Sequence, residues 1–248
     1  MHTGALVLGD DPTPQRRPRS IWRWTRRLVL LLAAAVIGWH GWIFWQVWRL
    51  REENPNRTAF MEQGLARLHE RNPQARLKHR WAPYGQISVH LKRAVVAAED
   101  QKFLSHEGFD WDEVEKAYER NLQSQRVVRG ASTISQQLAK NLFLTQQRTY
   151  WRKAEEAVIT LMIEGTLPKR RILEIYLNVI EWGNGVYGAE AAARHYYGKS
   201  ASGLSADEAA RLAAMIPNPR FYDRRRSTPW LEQRTELLLS QMEFVPVP

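Results

Sequence analysis

Twenty-one residues, Leu28 to Trp48, form an apolar run interrupted only by His40 and Gln46. As a helix at about 1.5 Å per residue the run spans about 31 Å, the thickness of a bilayer's hydrocarbon core. A cleaved signal peptide is the first alternative, because Ala33-Ala34-Ala35 could mimic a cleavage site. Only Leu28–Leu32 would then serve as its apolar region, shorter than the usual 7–15 residues. A buried core helix is the weaker alternative. Trp39, Trp42, Trp45 and Trp48 gather towards one end, as aromatic belts do at membrane interfaces. Six arginines against two aspartates precede the run, whereas Arg49 and Arg51 beyond it are offset by Glu52 and Glu53. The positive-inside rule then predicts a cytoplasmic N-terminus and an extracytoplasmic remainder.

Composition narrows the rest. The 248 residues carry a formal charge of +10, 44% hydrophobic and 10% aromatic residues, and no cysteine. A sizeable core is therefore available, and a disulfide framework, a thiolate metal site and a cysteine nucleophile are excluded. The charge implies an anionic partner: nucleic acid, anionic lipid or a phosphorylated substrate.

Beyond Asn54-Pro55-Asn56 the periodicity is largely helical. Leu91, Ala94, Val95 and Ala98 share a face, as do Ile134, Leu138 and Leu142, and Ala154, Val158, Leu161 and Met162. Ile172, Ile175 and Tyr176 form a shorter stripe, and Ala209, Leu212, Ala213 and Ile216 another. Trp81–Ser88 reads as loop and Asn184-Gly185 as a turn. No sustained alternation predicts a sheet, and the Val-Pro-Val-Pro terminus reads as loose. The expected fold class is mostly α. The expected divisions are a basic tail (1–27), a transmembrane helix (28–48), a membrane-proximal helical segment (49–80), a catalytic core (81–220) and a C-terminal segment (221–248).

Four constellations could carry chemistry. In AAEDQKFLSHEGFD, Glu99 and Asp100 end a helical stripe and precede Phe103 and His106. A carboxylate at a buried helix end can have its pKa raised by desolvation and act as a base near neutral pH. The plain alternative is a solvated acidic pair. In RGASTISQQLAKNLFL, Thr133 and Gln136 match a capping box. Ser132, Ser135 and Gln137 add hydrogen-bonding groups, and Lys140 falls about two turns after Thr133 on the same face. In RTYWRKAEEAVITLMIEG, Arg148, Arg152 and Lys153 flank Glu156, either as surface pairs or as a cradle that holds a phosphate and keeps Glu156 ionised. In the stretch from Pro168 to Pro219, Gly183, Gly185 and Gly188 resemble a dinucleotide glycine string but lack a βαβ context. Leu204–Asp207 reads as a helix start and IPNP as its stop.

In order and spacing these motifs resemble the peptidoglycan glycosyltransferase family, family 51 of the glycosyltransferases, from about Trp81 to Pro219. The patterns are EDxxFxxHxG, G-x-STIxQQLxKN, RKxxE and ILExYLN, and the nearest likeness is to the monofunctional, membrane-anchored biosynthetic members. Ala131 and Ser135 depart from a more usual glycine and threonine. The resemblance implies a lysozyme-like, mostly α domain with a smaller membrane-facing lobe, on the outer side of a bacterial inner membrane. It implies polymerisation of lipid II into β-1,4 glycan strands by inverting transfer, releasing undecaprenyl pyrophosphate. Glu99 would be the general base and Glu156 the second catalytic carboxylate. Ser132, Thr133, Gln136, Gln137, Lys140, Arg148, Arg152 and Lys153 would bind the donor substrate. Asp100, Phe103, His106 and Asn178 would shape the site. No cofactor or protein metal ligand is implied, although a divalent cation could join the pyrophosphate. Partners would be lipid II, the lipid-linked strand, the membrane, and other cell-wall synthases or division proteins, with no nucleic acid. No serine is followed three residues on by lysine, and Lys-Thr-Gly is absent, so no transpeptidase is expected. A lytic muramidase and a non-catalytic membrane scaffold are the competing readings. The first needs no pyrophosphate cradle, and the second needs neither Glu99 nor Glu156.

Overall fold

The structure is a computed structural model that describes residues 19–124, 132–147 and 149–248. It divides into two compact units, one ending at Ile43 and one running from Phe44 to Pro248.

Helix α1 (Arg19–Arg49) contains a 28-residue stretch, Trp22–Arg49, whose most apolar 18 residues have a mean hydropathy of 1.9 and are almost wholly exposed. It is the one helix among the described residues long and apolar enough to cross a membrane. His40 does not break it, because its ring nitrogen Nδ1 lies 2.9 Å from the Val36 carbonyl, one turn back. A polar group satisfied within its own helix can be tolerated in hydrocarbon.

The second unit is built of helices: α2 (Ala59–His69), α3 (Val89–Glu99), α4 (Trp111–Ser124), α5 (Ile134–Phe143), α6 (Tyr150–Thr166), α7 (Lys169–Val179), α8 (Ala189–Tyr197), α9 (Ala206–Met215), α10 (Pro219–Arg224) and α11 (Pro229–Met242). Their starts follow the sequence. Thr133 and Ser205 close capping boxes with Gln136 and Glu208, and Thr58, Thr149 and Thr228 cap α2, α6 and α11. Pro219 and Pro229 occupy first turns, where the missing N–H costs nothing.

Helix α7 is buried all round from Ile172 to Val179, save half-buried Glu174, and packs on α5, α6 and α8. A second cluster forms where α3, α9 and α11 meet, through Leu91, Val95, Leu212, Leu231 and Leu238. Each such side chain contributes on the order of 1.5–3 kcal/mol by leaving water. The segment after residue 220, expected to lie outside the core, thus supplies one of its walls. The terminal residues are also docked: Val245 is buried and the Tyr84 hydroxyl donates to the Pro248 carbonyl.

Two further expectations change. A small sheet does exist, in the order β1 (Lys78–His79), β3 (Val186–Tyr187), β2 (Glu181–Gly183). β1 pairs parallel with β3, Lys78 opposite Val186, and β2 pairs antiparallel with β3. Strands of two or three residues are too short to show alternation. The Asn184-Gly185 turn joins β2 to β3 as expected, Gly185 taking φ +73°. In α6 the apolar stripe faces outward: Val158 and Leu161 are exposed, whereas Glu156, Ile159, Thr160 and Ile163 are buried. The inward face is a second apolar stripe, Ile159 and Ile163, on which Glu156 and Thr160 also lie, and α6 packs on α5 and α7.

Candidate active site

Glu99 is the last residue of α3 and lies partly buried at the wall of a cavity of about 430 Å³. Ser132 and Thr133 line it from the start of α5, Lys102 and Asp110 from the loop after α3, and Arg234 and Gln241 from α11. One Glu99 carboxylate oxygen accepts a 2.7 Å bond from Gln137 Nε2 on α5. Burial pushes the Glu99 pKa above the ordinary carboxylate value. The Gln137 bond and the charges of Arg234 and Lys140 pull it back, and Asp100 adds to the rise. A carboxyl in that balance is a weak acid with an accessible oxygen, the requirement for a general base.

Asp100 does different work. His106 receives the Gly108 N–H on Nδ1 at 3.1 Å, so its Nε2 carries the proton and donates to Asp100 at 2.9 Å. The other Asp100 oxygen accepts the Ile134 N–H at 3.0 Å. Asp100 therefore ties the end of α3 to the start of α5. Phe103 is fully buried, edge-on to His106. Gly108 has φ +93°, and a Cβ there would meet Thr160 Cγ2 at 2.8 Å, so both backbone and space require glycine. Asn178, also fully buried, exchanges bonds of 2.8 and 2.9 Å with the Ala82 backbone and fixes the loop before α3.

Thr133 and Gln136 are tied to each other at the start of α5. The Thr133 hydroxyl donates to the Gly108 carbonyl at 2.7 Å and accepts the Gln136 N–H, while Gln136 Oε1 accepts the Thr133 N–H at 3.0 Å. Both serve the cap of α5, and Thr133 also lines the cavity. Ser132 stays at the cavity, and its carbonyl lies 3.4 Å from Gln137 Nε2.

The second carboxylate, Glu156, is buried on α6. Arg152 Nη1 donates to it at 2.6 Å, and Lys153 Nζ pairs with its other oxygen. Arg152 Nε is buried with no hydrogen-bond partner among the described residues. Lys140 projects from α5 and makes no ion pair among those residues. Burial lowers its pKa, Glu156 and more weakly Glu99 raise it, and Arg152 and Lys153 lower it. Lys140 thus lies within electrostatic reach of both carboxylates. Three cations surround one carboxylate, leaving a positive excess suited to a multiply charged anion. Arg148, expected in the same cluster, lies outside the described residues. Among the described residues no group of three His, Asp or Glu side chains is placed to hold a metal ion.

Two contributions escaped the sequence reading. Arg234 reaches the cavity from a helix 135 positions after Glu99, and no local motif marks it. Tyr176 is expected from the apolar stripe and as the tyrosine of ILExYLN, without a role of its own, yet its hydroxyl donates to Gln137 Oε1 at 2.8 Å.

Residues 65–243 match the family model described as "Transglycosylase", which extends beyond the expected motif region at both ends. The chain is similar to the biosynthetic peptidoglycan transglycosylase of Nitrosospira multiformis, 58% identical over 226 residues that cover 91% of this chain and 98% of that protein. The protein of the same name from Laribacter hongkongensis is 57% identical over 91% of this chain and 99% of its own length. With more than half its length matched, and with relatives of this identity spanning nearly its whole length, the chain belongs to the transglycosylase family.

Proposed function

We propose that this protein is a monofunctional peptidoglycan glycosyltransferase that builds glycan strands for the bacterial cell wall from lipid II. The observation that carries the reading is the pairing of two half-sites. A partly buried carboxylate is held by one oxygen beside a cavity, and a cluster of three cations around Glu156 lies beyond it, with Lys140 in electrostatic reach of both carboxylates.

The chemistry needs both halves. A sugar hydroxyl is weakly acidic, so the incoming 4-hydroxyl needs a base at the moment of attack, and Glu99 supplies it. The hydroxyl O–H bond breaks, its proton passes to Glu99, and the oxygen bonds the anomeric carbon from the face opposite the leaving group. The diphosphate departs with the bonding electron pair, and its growing negative charge is met by Lys140, Arg152 and Lys153. The unpartnered Arg152 Nε gives that anion a donor already in place. Glu156 holds Arg152 and Lys153 in position, and Arg148 belongs to the same cradle by motif. The cations supply the charge stabilisation, so the reading calls for no cofactor and leaves room for a divalent cation on the diphosphate.

Helix α1 is then a single-pass anchor in the cytoplasmic membrane, with the N-terminus inside and the catalytic unit outside. The outward apolar faces of α4 (Trp111, Val114, Tyr118, Leu122) and α6 (Trp151, Val158, Leu161) suit contact with the outer leaflet, where a lipid-linked substrate resides. Other cell-wall synthases and division proteins are the natural partners.

Purified protein should lengthen strands from lipid II and leave purified sacculi intact; loss of sacculus strands would favour the lytic reading. Glu99→Gln should lower polymerisation by at least about a hundredfold while lipid II binding persists. Wild-type-like turnover in that variant would remove Glu99 as base. Lys140→Ala should weaken donor or phosphoglycolipid-inhibitor binding by about tenfold or more, and unchanged affinity would sink its role.

A further inference from the structure

The site contains a buried phenol that this mechanism does not use. Tyr176 lies on α7 with no solvent exposure, and its hydroxyl has Gln137 Oε1 as its partner at 2.8 Å and no other among the described residues. Gln137 is consumed in turn. Its Nε2 donates to Glu99 at 2.7 Å and its backbone carbonyl accepts Asn141 Nδ2 at 2.8 Å. The three side chains form a single line from the core to the base: Tyr176 hydroxyl, Gln137 amide, Glu99 carboxylate.

The line has a direction. A glutamine amide is nearly the same shape either way round, with donors on one end and an acceptor on the other. If Gln137 turned over, its oxygen would face the Glu99 carboxylate, and Tyr176 would have to accept while its own proton found no acceptor. An unsatisfied donor in a site this buried is costly. Burial and the charges of Glu99 and Asp100 hold the Tyr176 pKa far above its ordinary value, so the phenol keeps that proton. The bias matters most when Glu99 has just taken up a proton. Its preference for a donor then vanishes, and a reversed amide could trap the proton on the inner oxygen.

We propose that Tyr176 is a positioning residue for the transfer reaction: it fixes the Gln137 amide so that one Glu99 oxygen is always held and the other, cavity-facing one takes the substrate proton. The proposal rests on Glu99 being the base. Tyr176 touches neither substrate nor the reacting atoms and acts only through Gln137.

The test is the pH dependence of lipid II polymerisation by the full-length protein in detergent, with Tyr176→Phe, Gln137→Met and the double variant. Each single change should lower kcat by about tenfold with little change in KM. Each should also move the acidic limb to higher pH, because Glu99 loses a hydrogen bond that favours its ionised form. The double variant should be no slower than Gln137→Met alone, since a residue acting through another adds nothing once that other is gone. Additive losses, or a slowed enzyme with an unmoved acidic limb, would overturn the proposal. A 3-fluorotyrosine at position 176 keeps the shape and strengthens the donor, so it should move the limb to lower pH even if the phenylalanine variant folds poorly; an unmoved limb overturns the proposal. Glu99→Gln separates the two ideas. Retained turnover there removes the base itself, whereas loss of turnover there with a wild-type pH profile in Tyr176→Phe removes only the positioning role.

Discussion

Asp100 receives hydrogen bonds from His106 and the Ile134 N–H, whereas Glu99 receives one from Gln137 and is otherwise left to a cavity. That difference has a thermodynamic sign. Burial raises the Glu99 proton affinity in the folded state above its value in the unfolded chain. Folding then favours the protonated form, so stability falls as pH rises from the ordinary glutamate pKa, about 4.3, through the raised folded one. Glu99→Gln should therefore melt at a higher temperature than the wild type at neutral pH. The gap should close below about pH 4, where the carboxyl is protonated in both states. Thermal melts at several pH values check this, and a variant that melts lower at neutral pH would contradict it. Lys140 carries a like cost, since burial lowers its pKa in the fold. The site thus holds groups whose ionised forms are disfavoured where they sit.

Among the elements, the two capping boxes make a controlled comparison. Thr133 caps α5, and its hydroxyl also holds the Gly108 carbonyl, so it fixes Gln137 and Lys140 relative to Glu99. Ser205 caps α9, away from the cavity. Thr133→Ala and Ser205→Ala should each cost about 1 kcal/mol of stability, somewhat more for Thr133 because its donor bond goes too. Only Thr133→Ala should also depress polymerisation, and equal activity in the two variants would sink that distinction. Both caps were legible in the sequence because a cap is local: a hydroxyl residue, then Gln or Glu three positions on. The helices were legible for the same reason. The outward turn of the α6 stripe was not, because periodicity reports that a face exists and not which way it points, and Ile159 and Ile163 form a second apolar face that is the buried one. The sheet was hidden by the brevity of its strands, and the role of Tyr176 by an apolar ring that masks one hydroxyl.

For the whole molecule, the site is assembled from residues far apart in the chain: Glu99, Gln137, Glu156, Tyr176 and Arg234. The motifs contain the first four, while Arg234 could be found only once α11 was seen against α3. That packing makes the C-terminal helix part of the enzyme's fold. Removal of residues 229–248 would uncover Leu91 and Leu212 and strip one wall from the Glu99 cavity. The shortened protein should lose its cooperative melt and its polymerase activity together; retention of both would show α11 to be dispensable. The way α3 and α5 meet has a consequence for charge. Glu99 stands at the C-terminal end of α3, where the helix dipole is negative, and Asp100 meets the N-terminal end of α5, where it is positive. Two carboxylates adjacent in sequence therefore sit in opposite fields. The field at the end of α3 acts in the same direction as the burial that raises the Glu99 proton affinity, so the orientation of a helix favours the base proposed here.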